Sequence, residues 1–138
     1  MIREFSAGGV VVRRLQGEPF VAVVRVRDQI LALPKGHPNR DESPVQAARR
    51  EVREETGLDA ELVEPLGGVR YHYVRGGKRI SKVVAFFLFR YRSGSVDDHD
   101  HEVEEALWIP LAEAPERLAY KGEREIAVAA LSRAGEGR

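Results

Sequence analysis

GHPNRDESPVQAARREVREETGL, residues 36–58, is the stretch whose reading decides the fold. Ser43 is a good helix N-cap, Pro44 suits the first helical position, and Gln46 completes an S-x-x-Q capping box. Gly57 supplies the stop, so the spacing predicts a helix from about Pro44 to Thr56. Val45, Ala48 and Val52 form an apolar stripe that must face a core. Glu51, Glu54 and Glu55 gather on another face, with Glu42 just ahead of the cap. Like charges at i, i+4, as in Glu51 and Glu55, cost about 0.2–0.5 kcal/mol on a bare helix. They also lie late in the helix, where the macrodipole disfavours anions. Arg50 offsets part of this through Glu54, while Arg49 and Arg53 are a second like pair. Such a helix is either a solvated, ion-paired surface or a set of oxygen ligands for hard divalent cations.

The spacing decides between the two. Gly36, Glu42, Arg50, Glu51, Val52, Glu54, Glu55, Gly57 and Leu58 fit G-x5-E-x7-R-E-U-x-E-E-x-G-U, with U a bulky aliphatic residue. This resembles the Nudix box at every defined position, and so many fixed positions at fixed spacing make a chance match improbable. The resemblance implies an α/β protein with the Nudix fold, an α/β/α sandwich around a mixed β-sheet with the box as strand–loop–helix. It also implies a hydrolase that splits a nucleoside diphosphate linked to another group, using Mg²⁺ or Mn²⁺.

Composition is consistent with this and excludes other classes. A chain of 138 residues suits one domain, here 1–138. With 22 basic and 22 acidic residues, no global field argues for nucleic acid or an anionic membrane. Cysteine is absent, which excludes disulfide and thiol chemistry and fits a reducing compartment. No stretch approaches the roughly 20 apolar residues of a membrane span, so a soluble cytoplasmic protein is expected. Oligomeric state is left open.

The flanking chain reads mostly as strand. Phe5 to Arg14 is β-rich but interrupted by Gly8 and Gly9, which predicts a bulge or a close approach by neighbouring backbone or ligand. A turn at 16–19 and a strand from Phe20 to Val26 make a hairpin, and Ile30 to Leu33 is a short strand. Ala60 to Val74 reads as extended, broken at Gly67 and Gly68; VRGGKR is a basic turn. Ile80 to Arg92 is apolar on both faces and predicts an interior strand. Leu111 to Leu118 reads as a short amphipathic helix. A final helix follows from about Glu123 to Arg133, with Ile126, Ala129 and Ala130 inward and a frayed tail at 134–138.

Other motifs narrow the resemblance to bacterial diadenosine tetraphosphate hydrolases: FSAGGV, PKGH, YHYVRGGKRISK and YKGEREI. Family members often continue the loop as G-H-x-E-x-G-E. Here Asn39 and Asp41 stand instead, which keeps the turn geometry but removes a carboxylate at position 39. The resemblance assigns Glu51, Glu54, Glu55 and the Gly36 carbonyl to the cations, and Arg50 to orienting a box glutamate. It adds an acid ahead of the ALWIP strand, Glu102, as a further metal ligand or base, with Glu104 and Glu105 as alternatives. The general base is left open among Glu51, Glu55 and Glu102. Lys35, Lys82 and Lys121 would hold the polyphosphate, with His37 beside it. Tyr73 and Tyr120 either stack on adenine or simply pack. His99 and His101 read as solvated loop residues, since H-x-H without further ligands is a weak metal signal. The implied partner is a small nucleotide, with no membrane or specific nucleic acid. Diadenosine tetraphosphate cleaved to ATP and AMP is the leading expectation. The rivals are ADP-ribose, oxidised nucleoside triphosphates, capped RNA, diphosphoinositol phosphates, and a domain that senses nucleotides without cleaving them.

Overall fold

The computed structural model describes residues 1–134; the tail expected around Gly135 and Gly137 lies outside the described residues. Strand β1 (Ile2–Leu15) turns through Gln16 and Gly17, both at positive φ, into β2 (Glu18–Val26). Such two-residue turns match the natural twist of a hairpin. A short 3-10 turn, Arg27–Gln29, leads to β3 (Ile30–Ala32) and the two-residue β4 (Lys35–Gly36). Helix α1 (Pro44–Thr56) follows with the expected bounds. The hairpin β5 (Leu58–Arg75) and β6 (Lys78–Gly94) is then closed by Gly76 and Gly77, both at positive φ. Strand β7 (Glu105–Pro110), a short helix α2 (Ala114–Arg117) and α3 (Lys121–Ala134) complete the described chain.

The sheet is mixed. β1 runs parallel to β6, from Ile2 opposite Ile80 to Val12 opposite Arg90, while the other pairings are antiparallel. β6 therefore lies between β1 and β5, as its two apolar faces require. Val84, Phe86 and Leu88 pack with Ile126, Ala127 and Ala130 of α3. On the other face Phe89 packs with Ala47, Ala48 and Val52 of α1. The result is the α/β/α sandwich, with the two helices separated by the sheet.

Of the local expectations, the close approach at Gly8 and Gly9 holds, and several others are corrected. Gly8 and Gly9 form no bulge: they stay in register opposite Phe86 and Phe87. A Cβ at Gly8 would meet the Pro34 carbonyl and Lys35, and one at Gly9 would meet Val52 and Phe89. It is the protein's own backbone and core that come close. β5 is continuous through Gly67 and Gly68, absorbing the irregularity as a register shift between Pro65 and Gly67. The segment 111–118 is a 3-10 turn running into α2 rather than one helix. α3 begins at Lys121, and Ala127, with Glu123 on the same stripe, is buried where Ala129 was expected.

Candidate active site

The local sequence builds the box from its cap. Ser43 Oγ accepts from Gln46 N at 3.2 Å while Gln46 Oε1 accepts from Ser43 N at 2.9 Å. This capping box contributes about 1 kcal/mol and fixes where α1 starts. Asn39 N donates to Glu42 Oε1 at 2.8 Å, which folds the preceding loop onto the helix. Arg50 then ties loop and helix together. Its Nε and Nη2 donate to the Glu42 carboxylate at 2.7 and 3.0 Å, and Nη2 also reaches the His37 carbonyl at 2.9 Å. Its Nη1 donates to Glu51 at 3.0 Å and Glu54 at 2.8 Å. The fork geometry of a guanidinium suits this, and Arg50 holds the Glu42 carboxyl below its ordinary range.

Glu51 and Glu55 form the inner part of the cluster. The Glu51 carboxylate lies directly on Gly36, where a Cβ would collide with it. Burial pushes the Glu51 carboxyl up, partly countered by Arg50, with the charges of Glu54 and Glu102 adding. Glu55 Oε1 accepts from Lys35 N at 3.2 Å. Burial drives Glu55 up to about 8, the Lys35 amide works against it, and the Glu51 and Asp100 charges add to it. Glu54 is the more exposed member, its side chain 43% accessible.

The loop after β6 returns to this cluster. Asp100 N donates to the Glu54 carbonyl at 2.8 Å, and Asp100 Oδ1 accepts from Glu102 N at 3.0 Å. Glu102 is thus the acid whose field reaches Glu51. Glu104 instead accepts from Gln29, and Glu105 pairs with Arg25. His99 Nδ1 donates to the neighbouring Asp100 carbonyl.

Among the described residues no three carboxylate or imidazole side chains are gathered closely enough to hold a metal ion as they stand. Arg50 lies between the Glu51 and Glu54 carboxylates in this arrangement. The donors nonetheless fit a hard divalent cation: they are all oxygens, Glu51 is buried and Glu55 half-buried, burial pushes both carboxyls up, and the missing side chain of Gly36 lets the Glu51 carboxylate lie against its backbone.

A second group of side chains lies on the α3 side of the sheet. Lys35 Nζ is 2.8 Å from Glu123 Oε2, donates to the Leu33 carbonyl at 3.2 Å, and lies 5.4 Å from the Tyr120 ring centroid. Tyr120 meets Tyr71 edge to face at 6.2 Å. Tyr71 stands opposite Lys82, whose ammonium burial pushes down, with the Lys35 charge adding. Gly122 packs so tightly on Val69 that a Cβ there would overlap its side chain, which sets the start of α3 on β5.

The remaining expected residues lie further out. Tyr73 is near the hairpin end, its hydroxyl donating to Glu4 at 2.8 Å beside Arg75. His37 Nδ1 donates to the Phe5 carbonyl at 2.9 Å. Lys121 is exposed at the first position of α3. Sequence reasoning missed Glu123, Tyr71 and Asp100. Glu123 had a signal: it shares the buried stripe with Ile126, Ala127 and Ala130, where a carboxylate needs a partner.

A NUDIX domain model matches residues 3–130. The putative mutator protein MutT4 of Mycobacterium tuberculosis (strain CDC 1551 / Oshkosh) is 39% identical over 133 residues, covering 91% of this chain and 54% of that protein. The 8-oxo-(d)GTP phosphatase of Mycolicibacterium smegmatis (strain ATCC 700084 / mc(2)155) is 36% identical over 107 residues, 77% of this chain and 32% of that protein. This chain thus spans about half or less of the length of these curated relatives. Among solved structures, a C. elegans Ap4A hydrolase in a binary complex superposes with a TM-score of 0.75 at 21% identity, covering 96% of this chain and 98% of that one. The NUDIX domain of Shewanella oneidensis NrtR, complexed with ADP ribose, gives 0.73 at 20% identity over 97% and 90%. These two likenesses concern the fold, and the family follows from the match over residues 3–130: the chain belongs to the NUDIX family.

Proposed function

We propose that this domain hydrolyses a phosphoanhydride of a dinucleoside polyphosphate in the presence of Mg²⁺ or Mn²⁺, converting diadenosine tetraphosphate to ATP and AMP. One observation carries the reading. Lys35, Lys82, Tyr71 and Tyr120 are gathered on one side of the β4 strand whose other contacts are the box glutamates Glu51 and Glu55. Two ammonium groups and two aromatic rings next to an acidic centre are what a base linked to a long phosphate chain calls for.

Glu51, Glu54, Glu55, Glu102 and the Gly36 carbonyl would hold the cation. It would supply charge neutralisation on the phosphate oxygens and a lower pKa for the attacking water. The chain's own residues do the rest. Glu55 is the favoured base, because Lys35 N fixes one carboxylate oxygen and leaves the other to take the water's proton. The water oxygen bonds to phosphorus, the bridging P–O bond breaks, and the departing phosphate oxygen leaves with the bond's electrons. Arg50 keeps Glu51 and Glu54 in place throughout. Lys35 and Lys82 hold the remaining phosphates, and Tyr120 offers a ring to the base.

A second reading is favoured by relatives whose names specify other nucleotides: the 8-oxo-(d)GTP phosphatase, and an RNA pyrophosphohydrolase of Xanthomonas oryzae pv. oryzae (strain MAFF 311018) at 42% identity over 94 residues. The test is a product-resolved panel with Mg²⁺: dinucleoside polyphosphates, nucleoside triphosphates including oxidised ones, ADP-ribose and triphosphorylated RNA. Diadenosine tetraphosphate should give ATP and AMP with the highest kcat/KM. A higher kcat/KM on a nucleoside triphosphate or RNA would establish the second reading instead.

A further inference from the structure

Glu123 is fully buried, in the first turn of a helix on the far side of the sheet from the box. Its carboxylate is committed to the strand that presents the site. Oε1 accepts from Leu33 N at 2.8 Å, while Oε2 pairs with Lys35 Nζ at 2.8 Å and faces the Tyr71 hydroxyl at 3.5 Å. Lys35 in turn donates through its main-chain N to Glu55. One residue thus joins a buried anchor on α3 to a carboxylate of the box.

The ammonium of Lys35 has three N–H donors. Glu123 and the Leu33 carbonyl take two of them, and the group sits near the Tyr120 ring with its side chain 21% accessible. The third donor therefore has a set direction. A flexible lysine would otherwise lose rotamer entropy on every encounter with a phosphate.

We propose that Glu123 is a positioning residue for the polyphosphate site: it holds the Lys35 ammonium in the orientation that receives a phosphate oxygen. This deepens the function proposed above and rests on its placement of phosphate beside Lys35. It makes an unusual electrostatic claim. Removing a buried negative charge next to a polyanion site strengthens anion binding by Coulomb's law alone. If Glu123 positions Lys35, the loss of the carboxylate must weaken it.

The experiment measures inorganic tripolyphosphate binding by calorimetry on the full chain in chelator, for wild type, Glu123→Gln, Lys35→Met and the double variant. Circular dichroism checks each fold; the amide introduced by Glu123→Gln retains an oxygen for Leu33 N. Glu123→Gln should weaken binding about tenfold, and the double variant should bind as Lys35→Met does, within twofold. Glu123→Asp keeps the charge but withdraws the carboxylate by one methylene, and should also weaken binding, which covers the case in which Glu123→Gln fails to fold. Unchanged or tighter binding in a folded Glu123 variant overturns the proposal. So do losses that multiply in the double variant, or a wild type that does not bind tripolyphosphate. A parallel assay with Mg²⁺ and diadenosine tetraphosphate separates the two claims: an inactive wild type that still shows the binding pattern removes the proposed substrate and leaves the role of Glu123 standing.

Discussion

At the scale of single residues, Glu55 sets function against stability. Its ordinary pKa is 4.5, and in the folded protein it lies at about 8. Between those values the folded state holds a proton that the unfolded state has lost. The metal-free fold is therefore most stabilised by this group below about pH 4.5, and that stability is lost as pH rises through 8. Glu55→Gln removes the effect. Chelator-treated Glu55→Gln should match wild type in urea melts at pH 5 and exceed it by about 1–3 kcal/mol at pH 9. Its turnover with Mg²⁺ should fall by about 10²–10⁴-fold, as for loss of a general base. Gly36→Ala makes the complementary point. The added methyl meets the far end of the Glu51 side chain, which can swing aside, so the melting temperature should stay within a few degrees. The displaced carboxylate should cost about 10²-fold in kcat, the penalty of a misplacement near 1 Å. Equal kcat for Gly36→Ala and wild type would remove Glu51 from the reacting centre.

At the scale of elements, the acidic loop ahead of β7 has a definite register. Asp100 fastens it to the end of α1 and holds Glu102 toward Glu51, while Glu104 turns to Gln29. Glu102→Gln should lower kcat at least about tenfold with a smaller change in nucleotide affinity, and Glu104→Gln should stay within about twofold. The reverse pattern would put the loop one turn out of place. The elements also differ in how far the sequence revealed them. Helix α1 was legible to the residue, because its cap, its proline and its stop are all local chemistry. The start of α3 was not. Lys121 and Gly122 look like turn residues, and what makes them helical is distant: Gly122 settles on Val69 and Glu123 reaches Leu33. Gly8 and Gly9 marked close packing correctly in kind, but only the fold shows that Pro34 and Val52 do the approaching. The box cluster was legible for the same reason as α1. Tyr71 was not, because which face of β5 carries Tyr71 and Tyr73 together depends on a register shift upstream at Pro65, and only the fold brings Tyr71 against Tyr120.

At the scale of the whole molecule, the sheet places the acidic centre and the lysine–tyrosine group on either side of β4, so a substrate must reach past one strand to use both. Lys121 is exposed where α3 begins, next to Tyr120, and would meet only the far part of a long phosphate chain. Lys121→Ala should therefore lower kcat/KM for diadenosine tetraphosphate several-fold more than for ADP-ribose, measured as the ratio of the two in wild type and variant. An unchanged ratio would take Lys121 out of the substrate site. The parallel pairing of β1 with β6 has a consequence in time as well as in space. Ile2 lies opposite Ile80, so the sheet's central pair is closed by residues most of the domain apart, whereas β5 and β6 meet through a two-residue turn. Closing the long loop costs chain entropy before any contact rewards it, which is the condition for slow folding. During synthesis β1 leaves the ribosome well before β6 and waits, its apolar run from Val10 to Val12 without its parallel neighbour, until β6 has been made; in that interval the run is open to aggregation.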